Sequence, residues 1–386
     1  MGQLVKTISQ YWNSIQGSLF PWIEEELDLL TQKQQQLIEI LEFICVEQFV
    51  PIYDGEGRPP KSRRAIARSF VAKMVYNIDT TTMLIERLKS DKNLRRICSW
   101  ENSRQIPSES TFSRAFEEFA LMSLPSQIHE QLIKNNLSEE IVSHNSRDST
   151  AIRGRENIRP AQSKTSDNKV TESPKKRGRP KKGEEKPPQP TRLERQQIMT
   201  LQEMLEDLPK DCDSGTKKDS KGNLSFWSGY KLHCDIIDGC IPVSAIVTSA
   251  SVHDSQVAMP LALMTQERVT VLYDLMDSAY DMPAIIAHSR KLGHVPLVDK
   301  NPRRDKELQE EIRNENKARK TLNWKPAEAN RYNVRTTAER ANSRLKEEFG
   351  ANKVRVRGHV KVSCHLMFGV LVLAADQLMR LAIGAT

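Results

Sequence analysis

The sequence predicts an α/β fold, a mixed sheet flanked by helices, preceded by an all-α segment. Three observations predict it. From about Ile141 onward, short apolar or β-branched runs alternate with amphipathic stretches, in the order strand, two-stranded hairpin, helix, strand, helix, strand, helix. Before Ile141 the apolar residues recur at helical spacing instead. With 386 residues, 38% of them hydrophobic, the chain is long enough for two or more domains with a sizeable core.

Composition narrows the function classes. A hydrophobic content of 38% and a charged content of 28% describe a soluble protein rather than a membrane one. The formal charge of +8 leans toward a polyanionic partner such as nucleic acid. The six cysteines are scattered without a CxxC pair, so reduced thiols are expected and a zinc site is not. The opening MGQLVKTISQYWNSIQ has no basic region followed by an apolar core, and no signal peptide is read there. The apolar run Val362 to Ala375 is too short to span a bilayer and carries His365, so it reads as a buried core helix.

Residues 1 to about 140 form the helical part. Glu24 to Val50 places Leu30, Leu37, Leu41 and Ile44 at helical spacing, and a turn-rich break follows at Pro51 to Pro60. Further helices are expected at Arg63 to Tyr76, Thr80 to Lys89 and Ser108 to Phe119, the last behind a Pro-Ser-Glu-Ser-Thr capping signal. Short basic helices joined by tight turns suit a DNA reader of helix-turn-helix type, with a plain helical bundle as the alternative. Arg63, Arg64, Arg68 and Lys73 are the candidate phosphate contacts, against the reading of a solvated charged face.

Ile141 to Ile152 reads as a strand with Asp148 near its end. A polar, basic insertion follows at about 154–222, most of it too polar to bury a core. Inside it, Pro174 to Lys182 holds six cations and no acid around Gly-Arg-Pro, which resembles an AT-hook. Arg177 and Arg179 would then lie in a narrow A·T minor groove, the alternative being a basic linker on DNA backbone. Thr191 to Leu208 is expected to form one short amphipathic helix.

Regular structure resumes with strands at Phe226 to Ile237 and Ile241 to Ser249, joined by an Asp238-Gly239 hairpin turn. A helix at Asp254 to Thr265, with His253-Asp254 read as its cap, leads to a buried strand at Val269 to Leu275. Helix Pro283 to Leu292, strand His294 to Val298, charged helix 304–320 and a last buried helix at Lys361 to Ile383 complete the order.

The stretch Tyr332 to Lys346 sorts, as one helix, into two faces. Tyr332, Arg335, Glu339 and Lys346 fall within an arc of roughly 60°, opposite Val334, Ala338, Ala341 and Leu345. A solvated face with an Arg-Glu pair is the bland alternative. Asp148 and Asp277 stand where strands end, as ligand sites in such sheets do, and Glu339 supplies a third carboxylate. Asp274 and Asp281 compete with Asp277, and spacing does not select among them. Three carboxylates from distant parts of the chain suit hard Mg²⁺ ions, which activate a water or a 3′-hydroxyl at phosphorus.

Tyr332, Arg335, Glu339 and Lys346 also satisfy Y-x2-R-x3-E-x6-K without a gap. This resembles the YREK signature of DDE transposases from bacterial insertion sequences. WSGYKLH at 227–233, VTSASVHDS at 247–255, MDSAYD at 276–281 and the closing VRGHVKVSCHLMFGVLVLAA are similar to the same group. The likeness covers about 141–152 and 224–380. It implies an RNase H-like catalytic domain at 141–386 behind a DNA-binding 1–140. It implies Asp148, Asp277 and Glu339 as catalytic, metal-binding acids, selecting Asp277 through the D-x-x-Y-D pattern. Tyr332, Arg335 and Lys346 are implied as DNA contacts near the transposon end. Further implications are Mg²⁺, with Mn²⁺ able to substitute, double-stranded DNA as substrate, a homodimer in the synaptic complex, and a cytoplasmic, nucleoid-associated location. One departure from the family stands out. Only about 299–331 lies where several members carry a β-rich insertion, which puts hairpin formation on the transposon end in doubt. Trp324 is read as a packing residue, with stacking on a flipped base as the alternative. The competing functions are a repressor descended from a transposase and a nuclease without strand transfer.

Overall fold

A computed structural model describes residues 29–53, 60–158, 190–218, 222–303 and 305–384. The chain opens with α1 (Gln32–Ile44), held by a reciprocal cap between Thr31 and Gln34 and ended by Cys45 at φ 45°. Then come α2 (Arg63–Val75), α3 (Thr81–Ser90), α4 (Lys92–Ile97), α5 (Glu109–Leu121) and α6 (Leu124–Leu137). Two of these, α4 and α6, lie outside the expected helices. Asp91 caps α4 by accepting from the Leu94 amide at 2.9 Å, and Pro125 sits in the first turn of α6. Ser108 stands at the start of α5 as expected, but its hydroxyl faces those of Ser110 and Thr111 rather than the backbone.

The six-stranded sheet is built on β1 (Ile141–Arg153) and β3 (Leu224–Ile237), paired antiparallel. On the far side of β1 lie β5 (Thr270–Met276) and then β6 (Val295–Val298), both parallel. The other edge of β3 carries β4 (Ile241–Ser249) along its second half and β2 (Asp213–Lys218) along its first. The Asp238-Gly239-Cys240 turn makes the β3–β4 hairpin, with Gly239 and Cys240 both at positive φ. Nothing in the sequence announces β2, a six-residue strand with four exposed or half-exposed polar side chains at 213, 214, 216 and 217 and a glycine between them. Gly215 on it lies under Trp227, where a Cβ would come within 2.3 Å of the indole. Gly229, at φ +149°, marks the point where β3 exchanges β2 for β4. A Cβ there would meet the Ile152 carbonyl at 2.2 Å.

Thr191 to Leu208 is two helices, α7 (Arg192–Gln196) and α8 (Leu201–Asp207), not one. Each starts with a Thr-x-x-Glu box, Thr191 with Glu194 and Thr200 with Glu203, so a second cap interrupts the stretch. Leu193, Met204 and Leu208 are buried against the second face of the sheet, together with α9 (Ala258–Gln266) and α10 (Pro283–Lys291). The 159–189 part of the insertion lies outside the described residues.

After β6 follow α11 (Lys306–Leu322), α12 (Ala327–Tyr332), α13 (Thr336–Glu347) and α14 (His359–Gly384). Tyr332 to Lys346 is therefore not one helix. A 3-10 turn at Asn333–Arg335 separates Tyr332 from the helix bearing Glu339 and Lys346. Ala338, Ala341 and Leu345 pack inward as expected. The last helix is longer than expected. Its 24 residues His359–Ala382 are long and apolar enough to cross a membrane, yet 89% of the most apolar window is buried within the fold. It packs on β4 and on α1, α2, α5, α6 and α13, with Phe368 against Phe70 and Phe116. Asp376 on it accepts from Gln36 at 2.6 Å and from Arg344 at 2.9 Å. None of the six cysteines, all among the described residues, is in a disulfide.

Beneath the sheet, facing α9 and α10, lies a fully buried polar cluster. Arg147 donates from Nε and Nη2 to the two oxygens of Asp235, both at 2.8 Å, and its Nη2 lies 3.9 Å from Asp274. Asp235 also accepts from Thr265 at 2.7 Å, and Asp274 from Asn145 at 3.0 Å and from Ser289 and His294. The cluster clamps β1, β3 and β5 to one another and to both helices. Arg147→Met is expected to lower stability by about 3–5 kcal/mol, because two buried carboxylates lose their cation. Urea denaturation followed by circular dichroism checks this, and a loss below about 1 kcal/mol would count against the clamp.

Candidate active site

The register of β1 and β5 creates the site. Their parallel pairing ends at Arg147 opposite Met276, and the next residue on each strand is an aspartate, Asp148 and Asp277. Asp148 thus sits five residues before the end of β1, which continues against β3 alone. The two carboxylates are brought together where the strands part. Asp277 caps a 3-10 turn, Ser278–Tyr280, by accepting from the Ala279 amide at 2.9 Å. Asp148 accepts from Asn342 Nδ2 on α13 at 3.1 Å, and Ser146 meets Thr337 of the same helix.

Both acids are held above the usual carboxylate range. Burial pushes Asp148 up to about 6, and the charge of Asp277 adds to it against the Ser149 amide, Arg335 and Lys217. Burial likewise raises Asp277. Asp254 and Asp299 add to that rise, while the Ala279 amide and Arg335 oppose it. Two carboxylates both raised by burial, one of them also by the charge of the other, form a hard-oxygen site short of positive charge, which suits a divalent cation.

Glu339 stands differently. Its side chain is 55% exposed and accepts from Arg335 at 2.8 Å. Arg335 in turn lies 5.8 Å from the centre of the Tyr332 ring, and the Tyr332 hydroxyl donates to Asp299 at 2.7 Å. Lys346 is lowered by burial and by Lys217 and Arg153, and raised by Asp148, so it too borders the pair. Among the described residues no three His, Cys, Asp or Glu side chains approach closely enough to hold a metal ion. The structure brings Asp148 and Asp277 together with Arg335 and Lys346, and turns Glu339 toward Arg335.

Competing acids resolve by burial. Asp274 belongs to the Arg147 cluster, and Asp281 accepts from the Asn301 amide at 2.8 Å. His253 caps the 3-10 turn Asp254–Val257 as expected, whereas Asp254 bonds Lys231 at 3.0 Å and Ser149. Asp254, Asp299, Lys217 and Asn342 were not singled out as site residues from sequence. The strand-end rule would have found Asp299, which directly follows β6, and helical spacing would have found Asn342, three residues beyond Glu339.

Of the N-terminal cations, Arg63 pairs with Glu118, and Arg68 with Glu47 and the Ile97 carbonyl, while Arg64 is exposed. Arg177 and Arg179 lie outside the described residues. Trp324 is 58% exposed, so the packing role read for it is corrected: the turn between α11 and α12 leaves the indole in solvent.

Residues 148–374 match the family described as Transposase DDE domain, and residues 23–118 match the one described as Transposase domain (DUF772). The first match spans more than half of the 386 residues and begins at Asp148. No curated protein and no solved structure matches the chain.

The raised carboxyl of Asp148 fixes a pH dependence. Its stabilising contribution is complete in the protonated form, below about pH 4, and is lost as pH rises through about 6. Asp148→Asn is therefore expected to exceed wild type in stability by about 2 kcal/mol at pH 8 and to match it near pH 4. Urea midpoints at the two pH values read this, and an equal difference at both would contradict it.

Proposed function

The chain belongs to the Transposase DDE domain family, and from that premise we propose that it cleaves DNA at the terminal inverted repeats of an insertion sequence and transfers the strands to target DNA. The observation that carries the reading is the adjacency of Asp148 and Asp277 at the parting of β1 and β5, each raised by burial and by neighbouring acids. In this reading Asp148, Asp277 and Glu339 hold Mg²⁺. Glu339 joins the pair by releasing Arg335, a surface-edge ion pair worth only about 0.2–1 kcal/mol.

A bound divalent cation supplies positive charge against the scissile phosphate and activates the attacking hydroxyl. The chain's own residues then have separable tasks. Asn342 donates to Asp148 Oδ2 and fixes the orientation of that carboxylate. Arg335, released from Glu339, and Lys346 neutralise backbone phosphate beside the bond that breaks. Tyr332 is anchored by Asp299 and lays its ring along Arg335, which limits the guanidinium to one side of the site. In hydrolysis the P–O bond to water forms as the P–O3′ bond breaks. The 3′-hydroxyl so produced then attacks a target phosphodiester in the same site: its oxygen bonds to phosphorus as the target's own P–O3′ bond breaks, and the proton it loses ends on the departing 3′-oxygen. Joining two ends to one target calls for two copies of the chain, and the N-terminal helices α1 to α5 and the basic segment at 174–182 provide further DNA contacts.

With Mg²⁺ or Mn²⁺, wild-type protein is expected to nick DNA bearing its own element's ends. Glu339→Gln should abolish nicking while end binding in a gel-shift assay stays within about twofold, and Asn342→Ala should slow nicking by about 10- to 100-fold. Wild-type protein that fails to nick, or full activity in Glu339→Gln, would remove the proposal.

A further inference from the structure

Beyond Asp148, β1 carries the chain through Arg153 to Arg155, which borders a cleft of about 710 Å³. One wall is formed by α2, α3 and α5, the other by the loop 351–358 that leads into α14. Arg155, Arg355, Arg357, Lys361 and Lys73 stand on these walls, against Asp79 and Glu109. Asp79 is engaged with Lys353 at 2.8 Å, and Lys361 with Glu117 at 3.0 Å. Glu156 beside them accepts from the Tyr230 hydroxyl at 2.7 Å and the Gly358 amide at 2.8 Å, which ties the loop to the sheet. Arg155, Arg355 and Arg357 are exposed and have no ion-pair partner among the described residues. Arg155 donates to the Arg355 carbonyl at 3.2 Å, so the two arginines are held side by side.

Lys73 is a second, independent observation. It is 5% exposed, it lines the cleft, and burial lowers its ammonium to about 8, with Asp79 as the opposing charge. An ammonium kept in so dry a place gains from an anion brought into the cleft.

Cations lie between the carboxylate pair and this cleft. Lys346 feels Lys217, Asp148 and Arg153, and Arg155 lies two residues past Arg153, where β1 ends. At about 3.3 Å per residue, Asp148 to Arg155 covers about 23 Å. That is about seven steps of duplex backbone at about 3.4 Å per strand. Guanidinium forks bind phosphate oxygens two at a time and read no base, so such a contact positions DNA without selecting sequence.

We propose that the cleft bounded by Arg155, Arg355, Arg357 and Lys73 is a second backbone-binding surface for duplex DNA, gripping phosphates about seven base pairs from the bond held at Asp148 and Asp277. The proposal rests on the transposase reading for the identity of that bond. The test uses the full chain, the triple variant Arg155→Ala, Arg355→Ala, Arg357→Ala, and duplexes extended stepwise on either side of the nicking position. Binding is followed by fluorescence anisotropy across a salt series. Each lost contact lowers the slope of log K against log salt by about 0.9, so a fall of about two to three is expected. The fall should appear only with duplexes that reach about seven base pairs on one side, and the corresponding triple lysine variant should retain most of the slope. An unchanged slope on the long duplexes would overturn the proposal. So would an equal fall in the control variant Arg313→Ala, Lys317→Ala, Lys320→Ala on α11. Nicking is read in the same samples. Wild-type nicking with an unchanged slope removes the cleft alone, whereas a lost slope without wild-type nicking removes the catalytic reading alone.

Discussion

The positions of the two site aspartates depend on the buried pairing of Arg147 with Asp235. That bond joins the two central strands on one face of the sheet, and Asp148 is the next residue on β1, turned to the other face. Strand alternation makes the two inseparable, since a slip of one residue would exchange the buried cation for the site carboxylate. The same guanidinium draws Asp274 to it, and Asp274 lies three residues before Asp277. A single buried cation therefore sets the register of both aspartates from below. Its cost in desolvation is offset by two carboxylates and their hydroxyl, amide and imidazole donors, so the device fixes geometry more than it adds stability.

Above the sheet the electrostatic sign is reversed. Beneath it a cation is surrounded by acids that it satisfies. At the site Asp148 and Asp277 face each other with Asp254 and Asp299 nearby, and only Arg335, Lys217 and backbone amides oppose them. Arg335 holds Glu339 at the rim and screens the pair at the same time. One guanidinium thus bonds the exposed carboxylate and also lowers the two buried ones.

Much of the architecture was legible because its signals are local. The β3–β4 hairpin is announced by Asp-Gly between alternating runs, and β5 by a short, mostly apolar run with an aspartate behind it. The elements that were missed depend on partners far away in the chain. Nothing in DSGTKK is strand-like by itself. It becomes β2 because β3 extends past β4 and leaves an unpaired edge, and because Gly215 admits Trp227. The break before α13 was hidden for the opposite reason, since the periodicity of Tyr332 to Lys346 continues through a 3-10 turn that tertiary contacts impose. The acids could be found as candidates, but their ranking required burial: Asp274 and Asp277 look alike in sequence, and only one has its charge satisfied.

The long helix α14 has a consequence for how the molecule is made. It lies between the sheet and the N-terminal helices, and Phe368 and Asp376 complete contacts that begin at Gln36, Phe70 and Phe116. All of these partners leave the ribosome before α14 does. The helical residues therefore wait, with an apolar seam open, through the synthesis of roughly 240 later positions, on the order of tens of seconds at bacterial rates. During that interval the open seam is apolar surface prone to aggregation. Helix α13, which carries Glu339 and Lys346 and also rests on α14, is held in place only once α14 has docked.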